Sequence, residues 1–172
     1  MSKPPRYPAE NVVLHTFFVT ASAWQGRRLL QSERSARLLI DVLYDYRRQG
    51  VYRLHEFTVM PNHFHALFTV FPDFSVAQAM QRIKGGFSYR AGKEFGKHLE
   101  IWQRSFTDHA IGDAVDYARH RDYIRNNAVA ERIVFEAEQF PFCSAHPGFE
   151  LDEAPEEFRG LKPAVGITKK AG

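Results

Sequence analysis

The sequence predicts an α+β fold: a ferredoxin-like split β-α-β sandwich, an antiparallel sheet with helices on one face, followed by one additional helix. Two observations predict it. Apolar periodicity alternates between the strand repeat of two and the helix repeat of 3.6, in the order β-α-β-β-α-β-α. Capping and turn residues (Ser32, Gly50, Pro61-Asn62, Ser75, Asp113) fall at the junctions between those segments.

Each element follows from its residues. Val12–Ala21 is rich in β-branched and aromatic residues and reads as a strand. Ser32 can cap a helix reaching about Gln49, with Ala36, Leu39, Ile40, Leu43 and Tyr46 on one face. Val51–Met60 and His63–Phe71 read as two antiparallel strands around the Pro61-Asn62 turn. Ser75 can cap a second helix carrying Val76, Ala79, Met80 and Ile83; Gly85-Gly86 is expected to interrupt or kink it before it ends near Phe95. Residues 101–111 suggest a fourth strand, and Asp113 can cap a third helix to about Asn127. His15 and Glu56, on strands, are expected to be buried and hydrogen-bonded. The domain division expected is an N-terminal arm over 1–10, one domain over 11–135, and an irregular, acidic, Pro-containing tail over 136–172 that packs on or near it.

Composition narrows the function classes. With 172 residues, 44% hydrophobic and 25% charged, the chain can bury a core without metal or disulfide staples. A single cysteine, Cys143, excludes an intramolecular disulfide and any multi-cysteine zinc site. No apolar run is long enough to span a membrane, and the start, Met-Ser-Lys-Pro-Pro-Arg, has no apolar signal core, so a cytoplasmic location is expected. The net charge of +3 is unevenly placed: residues 1–135 hold 19 Lys+Arg against 13 Asp+Glu, and residues 136–172 hold 4 against 7. Sixteen of the 23 basic residues are arginine, whose planar fork suits phosphate oxygens.

Two sets of residues can carry chemistry. His63 and His65 lie two apart on a strand and face the same side, while Phe64, Ala66, Phe68 and Val70 face the other. Two imidazoles on an open sheet face can hold a divalent metal, or can simply be two half-exposed histidines. On the third helix Tyr123 and Asn127 are one turn apart, with Asp116, Arg119 and His120 along roughly the same stripe. Alone, that is a surface tyrosine beside a helix-ending asparagine.

Together the two sets carry a resemblance. Phe57–Leu67 (Phe-Thr-Val-Met-Pro-Asn-His-Phe-His-Ala-Leu) is similar to the His-hydrophobic-His strand of HUH single-strand DNA nucleases, and more narrowly resembles the REP-associated tyrosine transposases and their insertion-sequence relatives. Tyr123–Val129 (Tyr-Ile-Arg-Asn-Asn-Ala-Val) resembles that family's Tyr-Ile-x-x-Asn-Pro-Val helix end, and Trp102–His109 the stretch before it. The resemblance implies His63, His65 and Asn127 as ligands of Mg²⁺ or Mn²⁺, and Tyr123 as nucleophile. It implies a transposase-like strand transferase that cleaves single-stranded DNA near hairpin or palindromic repeats through a 5′-phosphotyrosine, acting as a monomer or as a homodimer with a site completed in trans. A non-catalytic hairpin DNA- or RNA-binding module on the same fold is the alternative. Ala128 departs from the family's proline and would let the helix run on; His120 could substitute for Asn127 or assist proton transfer. Arg82, Lys84, Arg90 and Arg104 are candidate phosphate contacts, and Trp102 and Phe87 candidate base-stacking surfaces.

Overall fold

The structure, a computed structural model, describes residues 12–96 and 100–160; the expected arm over 1–10 and the last part of the tail, 161–172, lie outside the described residues. Four strands, β1 (His15–Ser22), β2 (Tyr52–Met60), β3 (His63–Val70) and β4 (Thr107–Ala110), alternate with three helices, α1 (Glu33–Arg48), α2 (Val76–Phe95) and α3 (Ala114–Ala130). The sheet order is β2-β3-β1-β4 with every neighbouring pair antiparallel. That order is two interlocked split β-α-β units, as the element order predicts.

Strand alternation gives the sheet two different faces. Val19, Ala21, Phe64, Ala66 and Phe68 point into the main core with α1 and α2 (Leu39, Leu43, Met80, Ile83, Phe87). On the opposite face Leu67 packs with Ile111, Tyr117 and Ile124 of the α3 region, and Met60 with Ala128, Phe140 and Cys143. Thus α1 and α2 share one layer and α3 lies across the sheet from them.

The capping residues act as the sequence suggests. Ser32 accepts from Ser35 N–H, Asp113 from Asp116 N–H, and Ser75 and Gln78 form a reciprocal capping box. The expected break at Gly85-Gly86 is absent: α2 runs through both glycines. The reason lies across the core. A Cβ on Gly86 would sit 2.7 Å from Tyr46 Oη, so this glycine lets α1 and α2 approach. The fourth strand is also shorter than the expected 101–111. Trp102 bridges Ala23, but Lys84 Nζ donates to the carbonyls of Gln103 and Arg104 at 2.7 and 3.4 Å, and pairing resumes only at Thr107. His15 is exposed at the first position of β1, contrary to expectation, because the sheet's cover begins one residue later at Thr16. Glu56 is buried, bonded to Arg125 and Ser144.

Residues 142–152 seal the outer edge of β2. Phe142 carbonyl accepts from Val59 N–H, Phe57 carbonyl from Ser144 N–H, and Leu54 exchanges bonds with Asp152. Asp152 also takes a two-pronged contact from Arg47 at 2.8 and 2.9 Å. An open sheet edge is thereby covered, and acidic chain meets basic helix. Beside it, the buried His55 donates from Nδ1 to the Asp152 carbonyl (3.1 Å), so Nε2 accepts from Thr69, whose hydroxyl in turn accepts from Thr16.

Two predictions follow from this packing. Gly85, whose added Cβ meets nothing within 4 Å, and Gly86 separate helix propensity from close approach. Gly85→Ala should stabilise the fold by about 1 kcal/mol in urea denaturation. Gly86→Ala should fall below it by at least about 1 kcal/mol, the cost of overpacking against Tyr46. Burial holds the His55 pKa below its usual 6.5. The unfolded chain therefore takes up a proton at His55 that the folded chain refuses, and this stability is full above pH 6.5 and lost as pH falls below it. The drop in urea midpoint between pH 7.5 and 5.5 should be smaller in His55→Gln than in the parent.

Candidate active site

The face of the sheet toward α3 is apolar at its centre and polar at one end. Register fixes that end: Thr20 stands opposite His65, Ser22 opposite His63, and Met60 opposite His63 on the other side. The two imidazoles are 4.8 Å apart between ring centroids. The Asn62 amide oxygen can only accept, so His63 Nδ1, 2.7 Å away, carries the ring proton and its Nε2 lone pair is free. His65 Nδ1 lies 2.7 Å from the Thr20 hydroxyl, while its Nε2 is buried without a partner. Burial lowers the pKa of both rings, His65 to about 3, helped there by the neighbouring His63. Both are neutral at neutral pH, the state in which imidazole binds metal.

Helix α3 supplies the opposite wall. The Tyr123 ring stands edge-on to His65 at 5.3 Å and to Phe18 at 5.8 Å, and half of the residue remains exposed. Phe18 also stacks on His65 at 5.3 Å, forming a floor for both rings. Asn127, one turn further, is 5% exposed, and its side-chain oxygen has no partner. Its neighbours locate it: Ile124 packs on Leu67, and Ala128 packs on Met60. Leu67 and Met60 lie on the same sheet face as the histidine pair, so α3 brings Asn127 to that face. Alanine at 128 does let the helix run on, to Ala130, but Ala128 is itself buried and holds that end down.

Two buried polar atoms without partners, His65 Nε2 and Asn127 Oδ1, thus occur on this face. Each costs about 1–3 kcal/mol where nothing pairs with it. Imidazole nitrogen and amide oxygen are both donors that a divalent cation accepts, and His63 Nε2 is a third of the same kind. The residues present fit such an ion.

The candidate nucleic-acid contacts divide differently. Trp102 is buried, edge-on to Phe64 and Phe87 in the main core, and its Nε1 donates to the Lys84 carbonyl at 3.0 Å. Phe87 is fully buried in the core, whereas Trp102, though buried, also lines the groove beside α2. Arg90 donates to Asp45 at 2.6 Å, and Arg82 lies over the Phe74 ring at 5.1 Å. Lys84 is engaged by the two carbonyls already described. Arg104 is exposed and, with Gln81, Lys84, Ser88 and Phe106, lines a groove of about 360 Å³ beside α2. Of the other tyrosines, Tyr89 is exposed on α2 under Lys93, and Tyr117 is buried against Phe158.

Sequence reasoning missed the residues that support the site: Thr20, Asn62 and Phe18. The alternation Thr16-Phe18-Thr20 was visible along β1, but its meaning depends on a register set across 45 residues. It also missed a cluster formed by His109, Asp116 and His120, because His109 lies on a different element from the other two.

Among the described residues no helix is long and apolar enough to cross a membrane. A REP-associated tyrosine transposase of Escherichia coli K12 is 26% identical over 137 residues, 76% of this chain and 80% of that protein. A candidate REP-associated tyrosine transposase of Haemophilus influenzae is 31% identical over 112 residues, 59% of this chain and 64% of that protein. A solved REP-associated tyrosine transposase bound to a REP hairpin superposes with a TM-score of 0.65 at 25% identity, covering 95% of this chain and 96% of that chain. Residues 11–127 match the family model described as IS200-like transposases, and the chain belongs to that family.

Proposed function

We propose that this chain is a metal-dependent single-strand DNA endonuclease and strand transferase. It binds folded hairpin or palindromic DNA and cuts a nearby unpaired stretch through a 5′-phosphotyrosine on Tyr123. One observation carries the reading: Tyr123 stands against His65, whose Nε2, like the Asn127 oxygen on the same helix as Tyr123, is buried without a partner. The hairpin in the structure of the related transposase supports the choice of DNA.

His63, His65 and Asn127 would hold Mg²⁺ or Mn²⁺, which when bound polarises a non-bridging phosphate oxygen. The chain's own residues do the rest. Asn62 and Thr20 hold the ring protons on Nδ1 and aim both Nε2 lone pairs outward from the sheet. Phe18 and His65 pack against the phenol ring while half of the residue stays exposed, where a strand can reach it. The phenol loses its proton as the Tyr123 Oη–P bond forms and the P–O3′ bond breaks, and the departing 3′-oxygen takes up a proton. One phosphodiester replaces another of similar energy, so an incoming 3′-OH can reverse the step and join strands without ATP. A single chain supplies phenol, imidazoles and amide, and we propose a site complete in one subunit.

The test is incubation with labelled hairpin oligonucleotides bearing single-stranded flanks, plus Mn²⁺, followed by a denaturing gel. A covalent adduct is expected with the parent. Tyr123→Phe should abolish it while hairpin binding stays within about threefold, and His65→Ala should lower it at least about 100-fold. Tight binding without an adduct across a broad set of palindromes would make this a binding module and sink the enzyme reading. Thr20→Val keeps the shape of the side chain but removes the partner of His65 Nδ1. It should raise the Mn²⁺ concentration for half-maximal adduct formation by about 10–100-fold.

A further inference from the structure

A second group of metal-binding side chains lies outside this site. His109 on β4 and Asp116 and His120 on α3 bring one ligand atom each to within 4.8 Å of one another. The Asp116 carboxylate sits between the two rings: Oδ2 is 2.7 Å from His109 Nε2 and Oδ1 is 3.0 Å from His120 Nδ1. The rings stack at 4.7 Å. Gly112 N–H donates to Asp116 Oδ2 at 2.9 Å and fixes the carboxylate, and His120 Nδ1 donates to the Asp116 carbonyl at 2.9 Å. Phe18 separates the group from the proposed active site, with His120 against one part of its ring at 4.6 Å and His65 stacked on it at 5.3 Å.

We propose that His109, Asp116 and His120 form a second, structural cation site that takes a borderline first-row divalent ion of the Zn²⁺ class and clamps β4 to the start of α3. The donor set selects that class: two imidazoles and one carboxylate, with a solvent-exposed side for a water, suit a tetrahedral ion. Ligand atoms about 2.0–2.1 Å from such an ion stand a little over 3 Å apart, so the two nitrogen–oxygen spacings open by a few tenths of an ångström while the three ligand atoms, within 4.8 Å of one another, settle around it. In the cation-free chain, two ring protons hold the cluster together, one between His109 Nε2 and the Asp116 carboxylate and one on His120 Nδ1, donated to the Asp116 carbonyl. The ion replaces them, and they leave to solvent.

The clamp has a structural reason. β4 is four residues long, exposed, and paired only to β1. It leads through Gly112 directly into α3, the helix that carries Tyr123 and Asn127. An ion bound across this junction ties the helix start to the sheet edge. The site is independent of the proposed DNA chemistry, because none of its three ligands belongs to the first donor set.

The experiment is calorimetric titration of Zn²⁺ into the full chain without DNA, with circular dichroism confirming the fold of each variant. In the His63→Ala/His65→Ala background, which disables the first donor set, one equivalent of Zn²⁺ should still bind and should raise the melting temperature. Adding His109→Ala, a half-exposed side chain whose loss leaves the core intact, should weaken that binding by about 100-fold or more. Asp116→Asn should do the same. No Zn²⁺ binding in the double variant, or binding that survives His109→Ala, would overturn the proposal. The adduct assay reads the other donor set separately, so the two proposals fail by different measurements.

Discussion

The register between β1 and β3 is the constraint on which the site depends. It sets Thr20 opposite His65, and the hydrogen bond between them fixes one imidazole inside a largely apolar layer. A slip of one residue would turn both histidines into the α1–α2 core and Phe64 and Ala66 out toward α3. Such a slip would bury two imidazoles where only hydrocarbon surrounds them and take both Phe64 and Phe68 out of the core. The hydrophobic pattern of β3 therefore specifies the orientation of its polar residues as firmly as it specifies the core.

Most of the architecture was legible in the sequence because it rests on local signals. Caps at Ser32, Ser75 and Asp113, the Pro61-Asn62 turn, and the alternation of β3 each act within a few residues. What was not legible depends on residues distant in the chain. Gly86 reads locally as a helix breaker, yet it is required by Tyr46 on another helix. Trp102 reads as a base-stacking ring, yet Phe64 and Phe87 pack edge-on to it. The fourth strand is cut short by a lysine some twenty residues earlier that captures its carbonyls. The histidine pair and the Tyr123–Asn127 stripe were each readable, and the motif text joined them; that they face one another is a property of α3 crossing the sheet, which no local pattern contains.

The placement of α3 explains why its sequence is less regular than that of α1. Helix α1 buries one broad apolar face, with Ala36, Leu39, Ile40 and Leu43 covered. Helix α3 must pack through Tyr117, Ile124 and Ala128 while keeping Asp116, His120, Tyr123 and Asn127 near the same sheet. Packing and polar function compete for the same turns. The tail contributes to the solution: Phe140, Cys143 and Ala145 close over Met60 and Ala128, anchoring the end of the helix where its own apolar stripe is thin.

That competition leaves a trace in the polar groups on this face. Elsewhere among the described residues buried polar side chains are satisfied: His55 by Thr69 and Asp152, Glu56 by Arg125 and Ser144, Thr16 by Thr69. Three buried side-chain atoms lack a partner, and two of them belong to His65 and Asn127; the third, on Arg121, lies on a side chain already paired with Asp122. At His65 the fold provides a partner for Nδ1 and withholds one from Nε2. Unsatisfied groups of this kind persist where another ligand completes them, and local stability is given up for that purpose.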